Sequence, residues 1–320
     1  MLRHGLIFLS DSRVAKKLVT GTPLRAMSRR FVPGETVEEL AGAMVEANGK
    51  GLEVTANYLG ESEQSERSAR AAANTYLEVL DRVATDGIRG NVSLKFTQLG
   101  QAIGARFLAD NLNRLLERAR AHELFIRFDM ESSEYTQRTL DAFEQLWGEG
   151  WRDIGVVLQS YLMRSEGDVA RMNALGARVR LCKGAYAEPA SVAFQGREEV
   201  DAAYVRLMQT LLANGNYPAI ATHDERMIDA TVRFAERKSI SRNRFEFQML
   251  YGVRRDLQAQ LVDQGFRVRV YIPFGESWYP YLMRRLAERP ANMLFMTGSV
   301  IKESPLGRLW PGNGHARKDP

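Results

Sequence analysis

Eight short runs rich in Val, Ile, Leu and Phe, most of them separated by stretches of helical spacing, constrain this chain more than any other feature. They lie at residues 52–59, 91–96, 124–130, 154–159, 178–183, 218–223, 245–250 and 267–272. Their β-branched and aromatic content suits buried strands. Helical stretches fall between them, at 61–85, 105–120, 135–147 and 201–213 among others. Gly176 stands where a helix C-cap belongs, and Asp224 where an N-cap does. Eight strand–helix units within about 250 residues is the arithmetic of a (β/α)8 barrel. A doubly wound open sheet calls for a glycine-rich turn after its first strand, and YLGESEQS at 58–65 has no GxGxxG. The expected fold is therefore α/β, a TIM-type barrel over residues 49–302. A helical arm precedes it over 1–48, with VEELAGAMVEANGKG as its clearest helix and Gly49 near the C-cap, and a tail follows over 303–320.

Composition removes several functional classes. The net charge of +5 is concentrated in residues 1–34, which carry seven Lys/Arg against Asp11 alone; the remainder nets −1. A nucleic-acid groove across the body is not expected. The basic arm fits a solvated extension, a contact with anionic lipid or a transit segment. No apolar run approaches the roughly 20 residues that span a bilayer. The single cysteine, Cys182, excludes internal disulfides and reads as a small buried hydrophobe in a reducing compartment. Four histidines (His4, His122, His223, His315) stand without metal-ligand spacing, so no metal is expected. No GxSxG supports serine hydrolysis.

Barrel enzymes build their sites at the C-terminal ends of the strands. The polar residues there are Glu61, Lys95, Asp129, Gln159, Arg180, Lys183, Thr222, His223, Gln248 and Tyr271. Each has a plainer reading: Lys95 snorkelling from a strand end, His223 as a satisfied core histidine. A polar residue on every strand, however, is a site. Tyr281, Arg284, Arg285 and Glu288 fall at i, i+3, i+4 and i+7 and share one helix face. Paired guanidiniums beside an aromatic ring suit a carboxylate or phosphate, although a solvated salt-bridged surface is the ordinary meaning of such a pair. A Schiff-base aldolase using Lys95 is a rival reading. Its difficulty is the number of further cations, which suit a substrate carboxylate plus an electron-rich or phosphate-bearing cofactor.

The segments VRLCKGAY (179–186), ATH (221–223), YLMRRLAE (281–288), RRFVPGET (29–36) and NVSLKFTQLG (91–100) resemble proline dehydrogenase, over about residues 29–300 and in the expected order. The compact length resembles the monofunctional bacterial enzymes, themselves similar to the proline-oxidising part of the bifunctional proline utilisation protein. The resemblance implies a distorted (β/α)8 barrel with its last helix over the mouth, FAD as cofactor, L-proline as substrate and a quinone as electron acceptor. It also implies a cytoplasmic protein with peripheral contact to the inner face of the membrane. Matched residue by residue, it implies that Arg284, Arg285 and Lys95 hold the proline carboxylate and that Glu61 pairs with Arg284. Tyr271, Tyr281 and Tyr186 would wall the ring pocket, with Glu288 in support. Asp129 matches the family's site carboxylate and Arg180 the arginine near the flavin N5. Met130, Gln159, Lys183, Gly184, Ala185, Thr222 and His223 match flavin-contacting positions.

Overall fold

The computed structural model describes residues 28–60, 63 and 65–288, the last five as backbone only. Two compact units divide the chain: Val32–Gly275, and a second made of the residues up to Phe31 together with those from Glu276 onward. The first unit is a closed barrel of eight parallel strands. In chain order it runs α1 (Val37–Gly49), β1 (Glu53–Tyr58), α2 (Glu66–Thr85), β2 (Gly90–Leu94), α3 (Ala105–Ala121), β3 (Ile126–Phe128) and α4 (Ser133–Gly148). It continues with β4 (Ile154–Gln159), α5 (Ser165–Leu175), β5 (Arg178–Cys182), α6 (Arg197–Asn214), β6 (Ala219–Ala221), α7 (Glu225–Arg237), β7 (Glu246–Leu250), α8 (Arg255–Asp263) and β8 (Val268–Phe274). The ring closes where β8 lies beside β1, with Thr55 opposite Tyr271. The (β/α)8 expectation is met, strand by strand.

Local chemistry sets the element ends. Thr36 caps α1 in a capping box with Glu39, whose amide donates to Thr36 Oγ1 at 3.2 Å. Asp224 accepts from the Arg226 amide to open α7, and Gly176 closes α5 at φ 70°. The helix expected in the arm, α1, buries Leu40, Met44 and Ala47 in the same core as the barrel strands. In the second unit, α9 (Trp278–Glu288) is helical as its spacing predicts. The side chains of Arg284, Arg285 and Glu288 lie outside the described residues, as do Glu61, residues 1–27 and the tail from 289.

Side-chain alternation divides the strands by chemistry. One set (Val54, Ala56, Val92, Leu94, Ile126, Phe128, Val156, Leu158, Val179, Leu181, Ile220, Phe247, Met249, Val268, Val270, Ile272) is buried in one apolar cluster with helix residues such as Leu80, Leu115, Phe143, Tyr204 and Leu261. The hydrophobic core thus sits between sheet and helices. The alternate set lines the interior and is mostly polar: Thr55, Asn57, Asn91, Ser93, Arg127, Arg180, Glu246, Gln248, Arg269 and Tyr271. Barrel interiors are ordinarily filled by bulky branched side chains. Here the lower parts of β4 and β6 contribute only the small residues Gly155, Val157, Ala219 and Ala221 to that face, with Gln159 at the upper end of β4, which leaves volume for guanidiniums. A Cβ at Gly155 would stand 2.5 Å from the Arg178 carbonyl and 2.6 Å from Arg127 Nη1, so the glycine is required by that close approach.

Candidate active site

Asp129 follows β3 directly and, two residues beyond Arg127, points inward with it. Three donors converge on its carboxylate. Ser93 Oγ and Arg180 Nη1 donate to Oδ1 at 2.6 and 2.8 Å. The Tyr271 hydroxyl donates to Oδ2 at 2.7 Å. Arg180 also lies over the Tyr271 ring, its guanidinium carbon 5.2 Å from the centroid. Burial, then the Asp129 charge, pushes the Tyr271 phenol well above its ordinary range, so it remains a proton donor at neutral pH. The structure thus brings together three expected residues, Asp129, Arg180 and Tyr271, with Ser93, which sequence reasoning missed.

Beneath this group the hydrogen bonds continue. Arg180 Nε donates to Gln248 Oε1, and Gln248 Nε2 donates to Glu246 Oε1, each at 2.5 Å. Arg269 Nε reaches the same Glu246 oxygen at 2.8 Å and, through Nη1, the Val54 carbonyl at 2.8 Å. Burial alone would raise the Glu246 pKa; the Arg269 guanidinium overrides that and holds it below the usual carboxylate value. Burial and the neighbouring Arg180 charge hold the buried Arg127 well below the ordinary guanidinium range. On the β1–β2 side, Tyr76 from α2 donates to the Ser93 carbonyl at 2.9 Å and accepts from the Tyr58 amide at 3.2 Å. Arg180 and Gln248 were among the expected strand-end residues; Glu246, Arg269, Arg127 and Tyr76 escaped sequence reasoning. The signal available was the alternation in RVRVY, EFQML, RVRLC and NVSLK.

Because the folded Glu246 pKa is depressed, its stabilising contribution is complete above the unfolded value near pH 4.3 and is lost as pH falls through the folded value. Glu246→Gln is expected to lower stability at pH 7 by about 3–5 kcal/mol, the cost of breaking a buried pair. The gap to the parent should shrink as pH falls below 4. Thermal melts from pH 3 to 7 check this; a constant gap would contradict it.

The other expected residues stand as follows. Lys95, two residues beyond Ser93 and 8% exposed, makes no hydrogen bond or ion pair with any described residue. Gln159 ends β4; its Nε2 donates to the Glu131 carbonyl at 3.3 Å, and its Oε1 is buried without a partner among the described residues. Arg180 Nη2 is likewise buried and unpartnered. Lys183 does not join the interior group: its Nζ pairs with Asp201 at 2.5 Å and Asp224 at 2.9 Å. Burial would raise Asp224, but Arg226 and Lys183 hold its carboxyl well below the usual range. Thr222 Oγ1 accepts from the Asp224 amide at 3.0 Å, and His223 Nε2 from the Leu250 amide at 2.9 Å. Met130 is buried, Tyr186 half-buried and Ala185 exposed. Gly184 has φ 110°, and a Cβ there would stand 2.3 Å from the Tyr161 ring. Cys182 is a neutral thiol, its pKa pushed up to about 12 by burial. Among the described residues no cluster of His, Cys, Asp and Glu could hold a metal ion.

A closed parallel barrel with a buried carboxylate–guanidinium pair at its mouth, beside an uncompensated lysine, defines an α/β-barrel enzyme for an anionic or electron-rich ligand. The sequence profile of the proline dehydrogenase family matches residues 41–298. The chain belongs to this family and is an oxidoreductase of proline catabolism. It is 37% identical to proline dehydrogenase 2 of Bacillus subtilis over 301 residues, 94% of this chain and 99% of the relative. It is 40% identical to proline dehydrogenase of Deinococcus radiodurans over 280 residues, 86% of this chain and 90% of the relative. Among solved structures it is similar to proline utilization A from Bdellovibrio bacteriovorus inactivated by N-propargylglycine. That likeness has a TM-score of 0.80 and 27% identity, and covers 92% of this chain and 36% of the other.

Proposed function

We propose that the barrel oxidises L-proline to Δ1-pyrroline-5-carboxylate with FAD, and that a quinone takes the electrons onward. The observation that carries the reading is the pair of buried, unpartnered groups on neighbouring strands, Arg180 Nη2 and Gln159 Oε1. Strand pairing sets Val157 opposite Arg180 and Gln159 opposite Cys182, so the orphan acceptor stands one inward step above the orphan donor. An isoalloxazine edge alternates acceptors with an N–H and offers both groups a partner. Leaving either unmatched is costly. Arg180 and Gln159 would hold the flavin, helped by Met130, Lys183, Gly184, Ala185, Thr222 and His223 as the family resemblance implies. When bound, flavin supplies the two-electron acceptor for the hydride leaving proline C5.

The chain's own residues bind, orient and exclude water. Lys95, with Arg284 and Arg285 as matched to the family, takes the substrate carboxylate and fixes C5 in reach of the acceptor. Cations at that end disfavour a second positive charge on the amine, which favours the neutral form from which C5 can be oxidised. Tyr271, Tyr281 and Tyr186 wall the ring, Glu61 steadies Arg284, and Glu288 stands in support. Asp129 keeps Arg180 and Tyr271 in place. The resemblance supports a cytoplasmic chain that meets quinone at the inner membrane face; among the described residues no helix is long and apolar enough to cross a membrane.

Anaerobic addition of L-proline to the purified protein is expected to bleach a flavin band near 450 nm. N-propargylglycine, which inactivates the Bdellovibrio protein, should inactivate this chain in a time-dependent way that proline slows. A colourless protein, or an unchanged spectrum with proline, would end this reading.

A further inference from the structure

Gln248 lies in β7, 4% exposed, one inward step from Glu246. Its amide joins two groups of opposite demand. Arg180 can only donate, and its Nε–H meets Gln248 Oε1 at 2.5 Å. The Glu246 carboxylate accepts, and receives the Gln248 amide N–H at 2.5 Å. One orientation of the amide satisfies both, and the neighbours enforce it. On the far side Glu246 is held by Arg269 at 2.8 Å and by the Tyr217 hydroxyl at 3.3 Å. On the near side Arg180 Nη1 is held by Asp129 at 2.8 Å and Ser93 at 3.2 Å. The guanidinium is therefore gripped at Nε and Nη1, and Nη2 is its one nitrogen left without a partner among the described residues.

We infer that Gln248 is a positioning residue for the oxidation: it fixes the plane of Arg180 and so presents Nη2 to the bound cofactor or substrate. The inference rests on the proline-oxidising reading above. Neither a carboxylate nor an apolar side chain of this size performs the task. A carboxylate at 248 would set a second anion against Glu246, and an apolar group would strand Arg180 Nε in the interior. Without Gln248 the guanidinium is gripped only at Nη1, by Asp129 and Ser93; it can pivot about that one nitrogen, and the geometry needed at Nη2 is lost.

The test uses the full flavin-loaded chain. Gln248→Leu removes a hydrogen bond to a charged group and is expected to lower kcat by roughly ten- to a hundred-fold, with KM for proline within about threefold. Arg180→Met should lose at least as much. Because Gln248 acts through Arg180, adding Gln248→Leu to Arg180→Met should bring no further loss. The same non-additivity is expected in FAD affinity, measured on apoprotein by quenching of flavin fluorescence. If Gln248→Leu does not fold by circular dichroism, Gln248→Asn takes its place; it keeps the amide but cannot span both partners. Unchanged kcat in a folded Gln248 variant would overturn the inference. So would losses that multiply in the double variant, or a change confined to KM. A parent protein that proline does not reduce would instead overturn the reading beneath it.

Discussion

Replacing Asp129 with leucine is expected to lower kcat/KM for proline about a thousandfold or more, while Asp129→Asn loses only about ten- to a hundred-fold. The difference follows from the three hydrogen bonds that Asp129 accepts, from Ser93, Arg180 and Tyr271. Leucine removes every acceptor and leaves the Arg180 charge in the interior without its anion, a change worth about 3–5 kcal/mol for buried pairs and so two to four decades in rate if expressed in the transition state. Asparagine keeps one oxygen for Arg180 and Ser93. Its amide N–H can turn to Tyr271, whose hydroxyl accepts as well as donates. The network then survives with reduced charge. Steady-state kinetics on flavin-saturated variants, read beside their melting temperatures, separate the cases. Full activity in Asp129→Leu would remove Asp129 from the centre of the site. Equal loss in both variants would mean that its charge alone matters, and its geometry does not.

The fold was legible because a strand followed by a helix, repeated eight times, has few other solutions. Errors at the ends were local: the run at 218–223 became the three-residue β6, Ala219–Ala221. What the strands do with their polar residues was harder to read. Glu246, Arg127 and Arg269 look misplaced if apolar residues are assumed to face the barrel axis. A single strand's alternation does not say which face is inward. Closure settles it, since the outer face must pack on helices and takes the valines and phenylalanines. Asp129, Arg180 and Tyr271 could be found from strand-end position alone. Lys183 shows the limit of that rule: it is one residue out of phase with Arg178, Arg180 and Cys182, and it turns to Asp201 and Asp224. Tyr76 had no local signal, because it enters from a helix whose pattern reads as ordinary core.

Lys95→Met is expected to impair binding and improve stability together. Lys95 shares the inward phase of Asn91 and Ser93, is 8% exposed, and meets no hydrogen-bond or ion-pair partner among the described residues. A largely buried lysine with no anion beside it is a cost to folding, tolerated where an anionic ligand supplies the missing partner. Methionine keeps most of the stem's volume and removes the charge. KM for proline should rise by roughly thirty- to a thousand-fold, the range for truncating one partner of a desolvated charge pair. Inhibition by simple carboxylates such as acetate should weaken in parallel, and the flavin spectrum should stay unchanged. Arg284→Met and Arg285→Met should share the loss of affinity. The melting temperature of Lys95→Met without substrate should rise, and the extra stability that proline confers on the parent should fall away. A lysine whose job was to brace the barrel would behave in the opposite way, with a lower melting temperature and an unaltered KM.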